Sequence, residues 1–192
     1  MTKKNNLKRL FDIFTSIILI FFLFLPSILI IFLIKIVDKN SSIYISRRLG
    51  KNKKIFKMYK FRTMHPNTPE VGSNSLKNAE IHITKFGKIL RKYSLDELPQ
   101  LINVLKGDMS LVGPRPALEN QQDLISLRDE KDIFSIAPGI TGLAQINGRD
   151  DLLLEKKVEY EATYMKKKSF LFDILILIIT LKIVIKSKGV KH

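Results

Sequence analysis

The sequence predicts an α+β fold, mostly helical, attached to a membrane by one N-terminal hairpin. Three observations predict it. An uncharged stretch at residues 13–34 is almost entirely Ile, Leu and Phe. Two short segments, 42–46 and 54–61, alternate apolar and polar side chains around Gly50-Lys51-Asn52. Much of the remaining chain carries apolar residues at helical spacing. The expected architecture divides the chain in two. Residues 1–38 form a re-entrant helix-break-helix bent at Pro26, and residues 39–192 form a cytoplasmic-face domain. That domain holds a small β-hairpin and interfacial amphipathic helices, the last of them C-terminal.

The apolar stretch at 13–34 would extend about 33 Å as a straight helix, enough to cross a hydrocarbon core of about 30 Å. It is too long for the apolar region of a signal peptide, and no small-residue cleavage site follows it. Pro26 removes a backbone donor in mid-segment and clashes with the preceding turn. Both flanks are basic: Lys3, Lys4, Lys8 and Arg9 precede the stretch, and Lys35, Lys39, Arg47, Arg48, Lys51, Lys53 and Lys54 follow it. A spanning helix normally biases its Lys and Arg to one side, whereas a hairpin returning to the same face does not. The second apolar run, 170–185, is interrupted by Asp173 and Lys182. It reads as a helix lying in the interface, with an ordinary core helix as the alternative.

Within the polar part, 54–61 completes the hairpin and 65–78, rich in Pro, Asn, Ser and Thr, forms a loop. Helical patterning follows at 84–92, 95–105, 117–128 and 151–168. Residues 137–149 contain Pro138, Gly139, Gly142 and Gly148 and read mostly as turn. At 192 residues the chain can bury one core. It has no cysteine, so disulfides and thiolate metal sites are excluded, and its three histidines are scattered without ligand spacing. The formal charge of +15 implies an anionic partner, whether nucleic acid, an anionic membrane or a phosphate-rich substrate, or else a solvated basic face.

The densest block of chemistry runs from Ser94 to Pro116. Ser94 and Glu97 have capping-box spacing, and on that reading Glu97 is only a cap, with Leu98, Leu101, Ile102 and Leu105 as the buried stripe. The functional reading starts from the adjacent carboxylates Asp96 and Glu97. A helix N-terminus favours an anionic nucleophile, and neighbours on a helix point about 100° apart, so the two carboxylates can take different tasks. Arg91, Lys92 and Arg115 flank the pair, and Gly113-Pro114-Arg115-Pro116 presents the last of these on a rigid turn suited to phosphate. Pro99 forgoes an intrahelical bond and makes the helix start irregular.

With Lys57-Met58-Tyr59-Lys60-Phe61-Arg62-Thr63-Met64, with the block above, and with Pro138-Gly139-Ile140-Thr141-Gly142 and Ala144-Gln145-Ile146-Asn147-Gly148-Arg149, the chain resembles the bacterial sugar transferases, the small monotopic phosphoglycosyl transferases. The resemblance covers nearly the whole chain. It implies a cytoplasmic-face enzyme of the bacterial inner membrane that moves a sugar 1-phosphate from a UDP-sugar to undecaprenyl phosphate, with membrane lipids around it and no nucleic-acid partner. Asp96 would be the nucleophile, forming a covalent phosphosugar intermediate as UMP leaves, and Glu97 would help to hold Mg²⁺. Lys60, Arg62, Arg91, Arg115 and Arg149 would contact phosphate, nucleotide or lipid head group, each weighed against a solvated-surface role, and Gln145 would bind substrate or else only stabilise a turn. The family often places Ser before the membrane proline; here Leu25 precedes Pro26. A rival reading is a non-catalytic, basic, membrane-anchored binding protein, which leaves the acidic pair and the rigid turn without a purpose.

Overall fold

The computed structural model describes residues 3–71, 79–148 and 152–186. Helix α1 (Lys3–Leu33) begins the chain and runs through Pro26 without interruption. The expected helix-break-helix is therefore a single helix. A proline withholds one intrahelical hydrogen bond, and the Leu and Ile residues on either side carry the helix past it. The helix ends further on, in a wide π-helical turn at Ile34–Asp38 followed by Lys39 in the left-handed region. There the Ser42 hydroxyl donates to the Ile31 carbonyl, and Asp38 accepts from the Thr84 hydroxyl.

Strands β1 (Ile43–Leu49) and β2 (Ile55–Phe61) form an antiparallel hairpin closed by a short turn at Lys51–Lys53. Tyr44 pairs with Lys60 and Ser46 with Met58, so alternate residues of the two strands share one face. Helix α2 (Lys85–Lys92) starts where Thr84 accepts from the Gly87 amide. The helical segment expected at 95–105 has two parts, a 3₁₀ turn at Leu95–Glu97 and then α3 (Gln100–Lys106) with Pro99 at its start. Helix α4 (Gln122–Glu130) begins later than its patterning suggests, because Ala117 is taken up by a bridge to Leu49. Helix α6 (Leu154–Lys167) and α7 (Phe170–Ile185) complete the chain.

The 137–149 segment is more ordered than its glycines suggest. Strand β4 (Gly139–Thr141) lies parallel to β3 (Ser110–Val112), and the short α5 (Leu143–Ile146) follows. The glycines allow close approach of backbones: a β-carbon on Gly139 would overlap the Gly113 nitrogen, and one on Gly113 would meet the Ala137 carbonyl oxygen. The main core gathers Phe56 and Met58 of the hairpin with Leu101, Val104, Met109, Leu111, Val112, Tyr164 and Ile176.

Both ends of α1 are fastened to this one body. Near its start, Lys8 pairs with the buried Asp173 at 2.6 Å, Arg9 donates to the Val104 and Leu105 carbonyls, and Asp12 accepts from Ser110 and the Leu111 amide. Near its end, Ile30 and Ile34 pack with Phe61 and Leu90. Between these anchors Phe21, Phe22, Phe24 and Leu25 are exposed, and an open apolar hollow of about 680 Å³ separates the middle of the helix from Leu105. Helix α7 buries Asp173 and Ile176 but turns Leu171, Leu175, Ile178, Leu181 and Ile185 outward. Gly139→Ala is expected to lower stability by about 2 kcal/mol or more through overpacking, read from a denaturant midpoint in detergent.

Candidate active site

The Leu95–Glu97 turn carries the acidic pair and packs directly on the end of α1, because Leu95 and Leu98 lie against Ile30, Ile34, Phe61 and Leu90. Two apolar side chains fix the turn while the two carboxylates between them point elsewhere. The capping-box reading fails. Ser94 sits at φ 53° in the left-handed region, and its side chain makes no capping bond. The 3₁₀ turn is closed by the backbone instead, with the Glu97 amide donating to the Ser94 carbonyl.

Glu97 is held by two cations from distant segments. Lys60 Nζ donates to Glu97 Oε1 at 2.8 Å, and Arg115 Nη1 donates to the same oxygen at 3.2 Å. Lys60 comes from β2 and Arg115 from the Gly113–Pro116 turn after β3. Asp96 is buried and less well compensated: its ion-pair contact among the described residues is Lys60, at 3.8 Å. Burial works against charge on both carboxylates. At Glu97 the neighbouring Lys60 and Arg115 charges and their hydrogen bonds overcome it and bring the acid down to about 2. At Asp96 burial prevails, helped by the adjacent Glu97 charge, and the carboxyl is raised despite Lys60, Arg91 and Arg115. Two acids one residue apart are thus pushed in opposite directions.

The remaining expected site residues divide. Arg91, on α2, is near enough to act on Asp96 electrostatically. Arg62, at the same end of the hairpin as Lys60, instead donates to the Ser41 carbonyl and hydroxyl and lies over the Tyr44 ring. Gln145, on α5, is buried with neither amide atom hydrogen-bonded, and its side chain folds over Gly142, beside the Gly113 carbonyl. Arg149 lies outside the described residues.

One ion pair and one further arginine were missed. Arg128 and Glu161, both fully buried, pair through Arg128 Nε and Glu161 Oε2 at 2.8 Å, and Arg128 Nη2 donates to the Arg115 carbonyl at 2.9 Å. This ion pair fixes the backbone that presents Arg115. The other is Arg48, on β1, whose nearness to Arg115 and Glu97 depends on hairpin register. Its parity with Tyr44 and Ser46 was a usable signal.

A buried acidic pair reached by lysine and arginine, beside a long exposed apolar helix, is the arrangement of a membrane-associated enzyme. The chain belongs to the bacterial sugar transferase family, which it matches over residues 3–187. It is 44% identical over 97% of its length to the uncharacterized sugar transferase EpsL of Bacillus subtilis, covering 91% of that protein. It is 36% identical over 95% of its length to the exopolysaccharide production protein ExoY of Sinorhizobium fredii, covering 87% of it. It is also 41% identical to the undecaprenyl-phosphate galactose phosphotransferase of Salmonella typhimurium, over 95% of this chain but only 41% of that longer protein.

Linkage gives the two carboxylates opposite effects on stability. The lowered Glu97 contributes stability that is fully present above its unfolded value of 4.5 and is lost as pH falls through about 2. The raised Asp96 destabilises the fold when ionised, and this burden lifts as pH falls. Asp96→Asn should therefore melt a few degrees above the native chain at neutral pH, and should lose stability more steeply than the native chain on acidification toward pH 2, both read by thermal scans across pH.

Proposed function

We propose that this protein transfers a sugar 1-phosphate from a UDP-sugar to undecaprenyl phosphate at the cytoplasmic face of the bacterial inner membrane. The observation that carries the reading is the asymmetry of the acidic pair. Glu97 has its charge answered by Lys60 and Arg115, while Asp96 keeps oxygens that no hydrogen bond occupies among the described residues. The Salmonella relative's name joins undecaprenyl phosphate to phosphotransfer, and an Erwinia amylovora relative, 37% identical, is a UDP-galactose-lipid carrier transferase.

In the first step an Asp96 carboxylate oxygen attacks the β-phosphorus of the donor. The bond from that phosphorus to the bridging oxygen breaks, and UMP leaves. In the second step a phosphate oxygen of the lipid attacks the same phosphorus, the Asp96–phosphorus bond breaks, and the carboxylate is restored as the polyprenyl diphosphate sugar departs. Lys60, Arg91 and Arg115 offset the negative charge that would otherwise repel an incoming carboxylate. Before substrate binds, the raised Asp96 resists ionisation, and the same cations favour its anionic form. Gln145 would hydrogen-bond the donor, which would give its two bare amide atoms partners.

Magnesium fits this donor set in one way. Among the described residues no group of three acidic or histidine side chains could hold a metal by itself. Glu97 would therefore bind Mg²⁺ together with phosphate oxygens and water, a common arrangement for this ion. Bound there, the ion would supply further neutralisation of the diphosphate.

The two anchors of α1 support this membrane placement. A spanning helix must put its ends on opposite sides, yet here both ends are tied to one body while Phe21, Phe22, Phe24 and Leu25 face outward. That supports a helix with both ends on one side of the membrane and its exposed middle immersed in a single leaflet, with the outward Leu and Ile residues of α7 lying in the same interface. The acidic pair then sits at the helix foot, where a lipid-borne phosphate arrives.

Asp96→Asn should abolish UMP release across a panel of UDP-sugars and leave no sugar-phosphate adduct by mass spectrometry. Normal turnover by that variant would rule out the nucleophile. Labelling of reporter tags at Met1 and after Lys39 should report the same face of the membrane; labelling from opposite faces would make α1 a spanning helix.

A further inference from the structure

We propose that Arg48 is a further anion-binding residue, which together with Arg115 grips a phosphate group brought in by a substrate. The proposal rests on the transferase reading only for the identity of that substrate. Nothing in the sequence motifs singles out Arg48, and the argument begins with the hairpin register. Tyr44, Ser46 and Arg48 lie on one face of β1, and Tyr44 pairs with Lys60, whose ammonium reaches the acidic pair. Arg47 points the opposite way, to Glu119 on the outside. The next residue, Leu49, is bridged to Ala117 by an amide-to-carbonyl bond of 2.9 Å, two residues beyond Arg115. The bridge sets the segment that bears Arg115 against β1, and from there the Arg115 charge acts on Arg48.

Their surroundings make an unusual balance of charge. Arg48 is half-buried, and the hydrogen bond it makes is to a neutral partner, Nε to Ser46 Oγ at 3.0 Å. It forms no ion pair among the described residues. Glu70 is near enough to act on it electrostatically, but the Glu70 carboxylate is engaged by the Tyr44 hydroxyl at 2.8 Å. Glu97, the other acid in reach, is already shared by Lys60 and Arg115. Burial above all, then the Arg115 charge, lowers the Arg48 guanidinium to about 10, still charged at neutral pH but held at a disadvantage. Two guanidinium groups that repel each other across a partly dry site are favourable once an anion lies between them. A phosphate has the shape to accept from both forks.

Either the donor diphosphate or the lipid phosphate could supply this group, and the chemistry of recognition is the same. Three measurements on the full chain in detergent or nanodiscs test the proposal, comparing the native protein with Arg48→Met and Arg48→Lys. Inorganic diphosphate is titrated calorimetrically, exchange of labelled UMP into UDP-sugar is followed without lipid, and the KM for undecaprenyl phosphate is measured in full turnover. Arg48→Met should weaken diphosphate binding roughly tenfold or more, with Arg48→Lys intermediate because it keeps the charge and loses the fork. Slower exchange would assign the donor phosphate; normal exchange with a raised lipid KM would assign the acceptor. Equal diphosphate binding and unchanged kinetics in a variant with native melting would overturn the proposal, and if Arg48→Met fails to fold, Arg48→Lys decides by the same criteria. A native chain that binds diphosphate through Arg48 but never releases UMP would sink the transferase reading and leave this site standing.

Discussion

Two neighbouring carboxylates cannot be buried as anions unless cations reach them from elsewhere in the chain, and the arrangement of this fold around the Leu95–Glu97 turn answers that constraint. The hairpin brings Lys60, the turn after β3 brings Arg115, and α2 brings Arg91. Arg91 lies just before the turn in sequence, but Lys60 and Arg115 are not neighbours that local structure could supply. Each must be placed by packing, and the packing is visible: Met58 and Phe56 seat the hairpin in the core, and Arg128 with Glu161 clamps the carbonyl of Arg115. A buried ion pair far from the acids thereby acts on them through one backbone oxygen. Its own net contribution to stability need not be large for it to specify geometry.

The same logic applies to α1. An apolar helix gains little specificity from apolar contacts, because Ile and Leu pack acceptably in many registers. Its polar residues set the register here. Lys8 meets Asp173, which also accepts from the Tyr164 hydroxyl, and Asp12 meets Ser110 and the Leu111 amide at the edge of β3. One network thus joins α1, α6, α7 and β3. Since β3 leads into the turn that bears Arg115, the height of the membrane helix and the position of a site cation are set by the same strand.

Much of this was legible in the sequence, where a local pattern carried the information. The hairpin, α2, the extent of α7 and the irregular helix start at Pro99 all follow from short-range chemistry: alternation, an N-cap threonine, an apolar run, a missing backbone donor. The misreadings share a cause as well. Ser94 and Glu97 have capping-box spacing, but tertiary contacts to Leu95 and Leu98 turn Ser94 left-handed, and Glu97 finds lysine and arginine instead. Pro26 looks like a break, yet one lost hydrogen bond is small against a long run of helix formers. The 139–141 strand was read as turn because glycine weakens a strand in isolation; its partner, Ser110–Val112, is three residues long and lies far away in sequence, so no local pattern announces the pair. Arg48 was overlooked for a similar reason. Its importance depends on distant segments, those of Glu97 and Arg115, coming within electrostatic reach of β1, which no motif announces.

The division of labour between the two acids follows from how unevenly they are compensated. Lys60 and Arg115 converge on a single oxygen of Glu97 and hold that side chain as an anion at any physiological pH. Asp96 receives what is left, a lysine at 3.8 Å and more distant arginines, and burial raises it. Lys60, Arg91 and Arg115 act on the pair, and Arg48 stands near Arg115 and Glu97, half-buried and bonded to the neutral Ser46 hydroxyl. Such a site is strained in two opposing ways: an acid short of cations and an arginine short of anions. An incoming diphosphate relieves the second strain directly. Its effect on Asp96 depends on whether the cations it recruits remain close to the aspartate, and the shared lysine, already bridging both carboxylates, is the group placed to serve substrate and nucleophile together.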